Sequence, residues 1–325
     1  MEQTAETRTK RAAVIYNPIK VDALRLHTLV ADAAETALWA DSLWFETTVE
    51  QAGQQQAREA VAQGADVVLA VGGDGTVRAV AEGLSDSGVP LALVPLGTGN
   101  LLARNLDLGL GFEDAIRTAF TGGVRTIDVG RADIRRADGS HEEHVFLVMA
   151  GLGIDAKMIA KTNAKLKKAV GWLAYVDGGM RALAELKPIK LRFSLDGQPE
   201  RSATAHSVML GNCGVLPGGI LLIPDARPDD GLLDIVALRP RGAFGWLKVW
   251  NTITFENGVL RKSAAGRKLI DLQQDARDVI YVKGRDFRIR MEEPQEFQLD
   301  GDEFGEAIAV HGWVDPGALR VKVPR

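Results

Sequence analysis

Cysteine is nearly absent, with Cys213 alone in 325 residues. One cysteine excludes an intramolecular disulfide framework and a multi-cysteine zinc site, and it fits a reducing compartment. Cys213 itself reads as a small buried residue. Basic excess is missing as well. The net charge is −4, so no global positive field points to nucleic acid. No apolar run approaches the roughly 20 residues that span a bilayer. The polar stretch Met1 to Lys10 lacks the apolar core of a signal peptide. The expectation is a cytoplasmic protein that meets any lipid from the aqueous side. The five histidines are scattered and suggest neither a metal site nor a catalytic triad. Internal repeats, low-complexity linkers, a Walker A sequence, a protein-kinase catalytic loop and the G-x-G-x-x-G fingerprint are all missing.

What is present is ordinary globular composition, 46% apolar and 25% charged, in a chain too long for one compact core. Two domains are expected, 1–125 and 126–311. The first third alternates strands (Ala12 to Tyr16, Asp66 to Val71, Pro90 to Pro95) with helices (Asp22 to Trp39, Gln54 to Gln63, Val77 to Leu84, and one from about Leu101). That rhythm predicts an α/β domain with a parallel sheet. From about Arg125 the texture becomes short alternating strands separated by Asp-Gly and Gly-Gly turns, as in an antiparallel β-sandwich. The strands are Thr126 to Arg135, Glu143 to Ala150, Ile189 to Leu195, Thr204 to Leu210, Leu232 to Leu238, Val279 to Val282, Phe287 to Met291 and Glu296 to Leu299. Helical stretches about Ala156 to Leu186 and Ala243 to Phe255 interrupt them, and Ala318 to Val323 is a late strand.

Two glycine loops carry the chemistry. Gly72-Gly73-Asp74-Gly75-Thr76 lies between a buried strand and a helix, where glycines admit phosphate oxygens close to the backbone and the helix start supplies amide donors. Asp74 would repel a phosphate directly and fits best through a magnesium ion or its water. A tight turn before a helix is an equal reading of this loop alone. The second loop, Pro95-Leu96-Gly97-Thr98-Gly99-Asn100, follows another buried strand. Both leave at the carboxyl edge of a parallel sheet, where α/β ligands bind, so a phosphate cradle outweighs two coincident turns. Thr98 and Asn100 offer uncharged hydrogen bonds to ribose or phosphate.

Together these loops resemble the catalytic domain of the diacylglycerol kinase family, which includes bacterial soluble lipid kinases and sphingosine kinases. The GGDGT element is shared with NAD kinases and, loosely, phosphofructokinases; the Pro-Leu-Gly-Thr-Gly-Asn element points to the lipid-kinase branch. The likeness continues through Leu101 to Leu106, Ile127 to Gly130, Gly151 to Ala156, Asp229-Asp230-Gly231 and Leu299-Asp300-Gly301, and so covers nearly the whole chain. It implies an α/β nucleotide domain to which the chain end, 312–325, returns, and a β-rich lipid-substrate domain. It also implies ATP and Mg2+ as cofactors, and a lipid partner at the membrane surface, diacylglycerol by default. Homo-oligomerisation is left open.

The family's base lies in an Asp-Gly-Glu tripeptide. Here the matching residues are Asp300-Gly301-Asp302, followed by Glu303. By position Asp302 is the base, one methylene short, with Glu303 as its neighbouring alternative. Asp300 is read either as a holder of the metal or its water, or as a hairpin turn. The resemblance further assigns a structural magnesium to Asp230 with the carbonyls of Arg227 and Leu232, against a solvated turn. Asp128 would join the acidic water network. The resemblance also brings Asn17, Pro18 and Thr48 to the nucleotide site, the last from a Thr47-Thr48 pair that strand propensity explains nearly as well. The usual Asn-Pro-x-Ser-Gly loop reads Asn17-Pro18-Ile19-Lys20-Val21 here, and Lys20 could supply a point charge in place of the small residues. Two rival functions stay open: a kinase of a soluble metabolite such as NAD, and a non-catalytic nucleotide or lipid sensor.

Lys157 to Arg192 holds nine Lys or Arg against two Asp or Glu, a net +7. Lys157, Lys161, Lys165 and Lys168 share one stripe if the segment is helical, beside Met158, Ile159, Leu166, Trp172 and Leu173. A solvated face over a β core is the competing reading. Replacing the four lysines with glutamine is expected to weaken binding to anionic vesicles, most at low salt where screening is longest-ranged. Unchanged co-sedimentation would leave only the solvated face.

Overall fold

The computed structural model describes residues 9–153, 187–216, 220–240, 245, 246, 248, 249 and 278–325. The lysine stripe and the expected helix Ala156 to Leu186 lie outside them. So does most of the expected helix Ala243 to Phe255, whose four described residues are helical. The chain divides into two compact units, Met1–Ile127 with Gly317–Arg325, and Asp128–Pro316.

The first unit is an α/β domain. Its strands β1 (Arg11–Tyr16), β2 (Ala40–Glu46), β3 (Val67–Gly72) and β4 (Leu91–Pro95) run parallel in the order β2-β1-β3-β4. Val321, near the chain end, pairs in parallel with Leu91 and extends the sheet beyond β4. β3 and β4 are buried along their whole length, which explains their unbroken apolar sequences VVLAVG and LALVP. The helices are α1 (Ala23–Thr36), α2 (Gln54–Ala62), α3 (Asp74–Leu84), α4 (Leu101–Asn105) and α5 (Phe112–Thr121). Leu26, Val30 and Ala34 of α1 and Ile116 and Phe120 of α5 pack on Val14, Leu69, Val71 and Val94 of the sheet. α2 and α3 pack together against the strands. α1 stops at Thr36, short of the expected Trp39, because Leu38 takes a positive φ of 59° and the chain turns into β2. Asp22 caps its start by accepting the Arg25 amide at 3.1 Å.

The second unit is antiparallel and β-sandwich-like. Its strands are β5 (Gly123–Arg135, entering from the first unit), β6 (His141–Phe146), β7 (Met149–Leu152), β8 (Ile189–Leu195), β9 (Arg201–Ala205), β10 (Ser207–Gly211), β11 (Val215–Leu216), β12 (Ile220–Leu221), β13 (Leu233–Leu238), β14 (Val279–Gly284), β15 (Asp286–Leu299) and β16 (Asp302–Val323, whose end belongs to the first unit). The main order is β14-β13-β10-β7-β15-β16. The two strands expected at Phe287 to Met291 and Glu296 to Leu299 are one strand, β15. Its register against β16 shifts between Arg290 and Gln295. Its first half pairs with β8 and its last residues with β7, so one bent strand serves two sets of neighbours. Phe146, Leu152, Leu191, Leu210, Phe297 and Leu299 are among the side chains that fill the core.

Two expected strands are broken. Glu143 to Ala150 splits into β6 and β7 at Leu147 and Val148, whose amides bond to a side chain instead of a ladder. Thr204 to Leu210 splits at His206, whose amide reaches Leu238 O at 2.7 Å.

Candidate active site

The strand order of the first unit reverses direction between β1 and β3, which is where open α/β sheets bind ligands at the carboxyl edge. Asn17 and Pro18 follow β1, Thr48 follows β2, Gly72 to Thr76 end β3 and open α3, and Gly97, Thr98 and Asn100 follow β4. The fold therefore gathers all eleven nucleotide-site candidates at one edge. Thr47 N–H donates to Tyr16 O at 2.9 Å and Leu96 N–H to Gly72 O at 2.9 Å, so each loop leaves beside its neighbour.

The two glycine loops meet backbone to backbone. A Cβ on Gly97 would stand 2.8 Å from the Gly73 Cα, and one on Gly99 would stand 2.5 Å from Asp74 Oδ2. Only hydrogen fits in either place. Asp74 locks the pair: its Oδ1 accepts the Leu101 amide, the first residue of α4, at 2.5 Å. The carboxylate thus sits in the first turn of α3 and at the start of α4, where both helix dipoles favour negative charge. The amides of Asp74, Gly75 and Thr76 are those that α3 leaves without an internal acceptor. Asn100 closes its own loop, accepting from Gly97 N–H at 2.9 Å and donating to Gly97 O at 2.8 Å, with its backbone left-handed at φ 47°. Thr98 is exposed. Asn17 Oδ1 and Thr48 Oγ1 each accept a nearby amide, from Ile19 at 3.0 Å and Gln51 at 3.1 Å, and so shape their loops.

In the second unit, Asp300 and Gly301 form the two-residue turn between β15 and β16, with φ of 49° and 91° and Leu299 paired to Asp302. Positive φ at both positions is what an Asp-Gly hairpin of type I′ requires. The Asp300 side chain does more than turn. It is buried, and it accepts the amides of Leu147 at 2.8 Å, Val148 at 2.8 Å and Met149 at 2.9 Å. Those bonds break β6 from β7. Asp302 and Glu303 are exposed at the start of β16. As successive strand residues they face opposite sides of the sheet.

Sequence reasoning passed over Asn212 and Lys283. Asn212 is fully buried and its Nδ2 donates to Asp128 O at 2.9 Å and Leu147 O at 3.0 Å. Asp128, also buried, accepts the Gly231 amide at 2.7 Å, which fastens the Asp229-Asp230-Gly231 turn to β5. The Gly211-Asn212-Cys213-Gly214 stretch, small residues around one amide after an apolar run, was the available signal for Asn212.

The acidic turn holds a cation of its own. Asp230 Oδ1 accepts the Leu232 amide at 3.1 Å, while its Oδ2 lies 3.1 Å from Lys283 Nζ. The same ammonium donates to Asp225 O at 2.9 Å. Asp234 Oδ2 also lies 3.1 Å from it and completes an ion pair. Burial pulls the Lys283 pKa down, but attraction to Asp230 and Asp234 outweighs it and holds the ammonium above its ordinary value. Burial pushes the Asp234 carboxyl up, and Lys283 offsets part of that. Carboxylate and carbonyl oxygens are suitable for magnesium. A metal on Asp230 and the Arg227 and Leu232 carbonyls would nevertheless compete with Lys283. Among the described residues no group of three or more His, Cys, Asp or Glu is arranged to hold a metal ion.

A family model described as the diacylglycerol kinase catalytic domain matches residues 11–132, and one described as the YegS C-terminal NAD kinase beta sandwich-like domain matches 148–323. The chain is 29% identical over 304 residues to the diacylglycerol kinase of Bacillus subtilis, covering 91% of each protein. It is 34% identical over 273 residues to a Pseudomonas aeruginosa protein named "Probable lipid kinase YegS-like", covering 82% of this chain and 79% of that one. The crystal structure of a diacylglycerol kinase from Bacillus anthracis shares the fold, with a TM-score of 0.67 at 22% identity over 98% of both chains.

Two substitutions test this geometry. Asp300→Asn keeps one acceptor oxygen but turns an amide group toward a buried backbone N–H, and is expected to cost about 1–3 kcal/mol in urea unfolding. Lys283→Met leaves Asp234 buried without its cation and should cost a similar amount, about 1–3 kcal/mol. Magnesium should then raise the melting temperature of Lys283→Met while leaving wild type nearly unchanged. Equal magnesium responses in the two proteins would show that Lys283 and metal do not share the turn.

Proposed function

Because this chain belongs to the bacterial lipid kinase family that joins a diacylglycerol kinase catalytic domain to a YegS-type C-terminal domain, we propose that it transfers the terminal phosphoryl group of ATP to a lipid hydroxyl, with diacylglycerol as the default acceptor. The observation that carries this reading is the pair of glycine loops locked at one sheet edge by the Asp74 carboxylate. The amides opening α3, with Gly97, Thr98 and Asn100 beside them, cradle the phosphates. Asn17, Pro18 and Thr48 border the same edge and complete the nucleotide site. Asp74 would hold a magnesium ion or its water, and the ion would supply positive charge to offset the phosphates.

Phosphoryl transfer leaves the protein two tasks, positioning the reactants and accepting the hydroxyl proton. In this reading Asp302 accepts the proton. Asp300 acts by position: its three amide bonds fix the hairpin from which Asp302 projects. No described helix is long and apolar enough to cross a membrane, and the lipid is met at the membrane surface.

Asp302→Asn should lower transfer by roughly 10²- to 10⁴-fold while ATP binding persists. Asp302→Glu should retain activity, and Glu303→Gln should be mild, since Glu303 faces the other side of its strand. Labelled ATP offered with diacylglycerol, a sphingoid base, a phospholipid and NAD reads both the acceptor and the base. Phosphorylation of NAD alone would replace the lipid reading with a soluble-metabolite kinase. Absence of transfer to every acceptor would favour a sensor. An active Asp302→Asn beside a dead Glu303→Gln would move the base to Glu303.

A further inference from the structure

The parallel sheet of the first unit has a second edge. The residues that lead into β1, β2, β3 and β4 meet there, one strand length, roughly 15–20 Å, from the glycine loops. They border a cavity of about 520 Å³ with the end of β16. Four cationic side chains line it, Lys10, Arg320, Lys322 and Arg325, together with the rings of Trp39 and Phe120. The two rings meet edge to face at 5.3 Å, and the Lys10 ammonium lies 5.6 Å from the Trp39 ring centre.

Lys322 is only 9% exposed, yet among the described residues its ammonium finds a carbonyl, Gly122 O at 2.7 Å, and no carboxylate. Arg320 likewise donates to Gly88 O at 3.0 Å. Among the described residues none of the four cations lies in an ion pair with an acidic group. The acid that shares the cavity, Asp66, accepts the Arg11 amide with Oδ2 at 2.7 Å. The Gly122 carbonyl closes α5, so the helix dipole compensates Lys322 in part. It does nothing for Lys10 or Arg325. Burial holds the Lys322 pKa below its ordinary value, and repulsion from Lys10 and Arg325 lowers it further. Like charges gathered around a partly enclosed cavity destabilise one another, and a bound anion removes that cost.

We propose that this cavity is a second ligand site, distinct from the glycine loops, that binds a phosphate-bearing anion: phosphate oxygens on Lys10, Lys322 and Arg325, and the organic part against Trp39 and Phe120. A soluble phosphate ester and the phosphate headgroup of a membrane lipid share this chemistry. The assignment does not depend on the phosphotransfer reading.

The test uses the full chain and the double variant Lys10→Gln, Arg325→Gln, because these two side chains donate none of the hydrogen bonds that hold the cavity wall. Calorimetric titration with glycerol 3-phosphate, in the presence of a saturating non-hydrolysable ATP analogue, should show binding to wild type. Affinity should fall about tenfold or more in the variant at an unchanged melting temperature. Flotation on phosphatidylcholine vesicles with and without phosphatidic acid identifies the source. A phosphatidic-acid-dependent gain lost in the variant assigns the cavity to a lipid headgroup, and ester binding without that gain assigns it to a soluble phosphate ester. Heat that vanishes when the ATP analogue is present, equal affinities in wild type and variant, or no binding of either ligand would overturn the proposal.

Discussion

A buried carboxylate that gathers backbone amides sets the shape of the second unit. Asp300 accepts from Leu147, Val148 and Met149, and its own amide returns to Met149 O at 2.8 Å. Charge-assisted bonds of this kind are stronger than neutral ones, and burial raises the cost of losing any of them. The β15–β16 hairpin is thereby fixed to the break between β6 and β7, and the position of Asp302 follows from it. Asn212 extends the arrangement by joining Leu147 O to Asp128 O, and Asp128 fastens the acidic turn through the Gly231 amide. Three acidic or amide side chains thus tie together segments far apart in sequence.

The first unit uses the same device on a smaller scale. Asp74 bonds to the amide that opens α4 and so joins two loops that leave adjacent strands. A lone glycine loop would be a flexible turn. Two such loops, in contact through glycine and pinned by one carboxylate, form a preorganised surface of amide donors, which would lower the entropic cost of holding the proposed nucleotide. The carboxylate would repel a phosphate bound there, and its place at the start of two helices would offset part of that cost.

The charges are distributed to match. Asp74, Asp128 and Asp300 are bonded to backbone amides, and Asp230 and Asp234 pair with the ammonium of Lys283. At the far edge of the parallel sheet four cations share a cavity with one acid, Asp66, and Arg320 and Lys322 donate to carbonyls. Lys322 is the buried one of the four, and with a carbonyl as its hydrogen-bond partner it departs from the rule that buried charges are paired.

The class of fold was legible in the residues themselves. Continuous apolar runs at β3 and β4 announced strands buried on both faces, and alternating runs with Asp-Gly turns announced the antiparallel unit. The two glycine loops marked their sheet edge because strand-loop-helix order alone places such loops at the carboxyl ends. The family was legible too, since its motifs are local. What the sequence could not determine was anything that rests on partners far along the chain. Nothing in Asp300-Gly301 distinguishes a solvated hairpin from a buried anchor, because its three amide donors lie some 150 residues earlier. The run from Glu143 to Ala150 reads as one strand, because the carboxylate that divides it is remote. β15 reads as two strands, because its continuity depends on a bend that lets it pair with both β7 and β8. Lys283 is an ordinary strand lysine until Asp230 and Asp234 are brought beside it. Local periodicity and turn chemistry are written residue by residue, and the sequence determined them; burial and long-range hydrogen bonding arise only when distant segments meet, and those the tertiary structure decided.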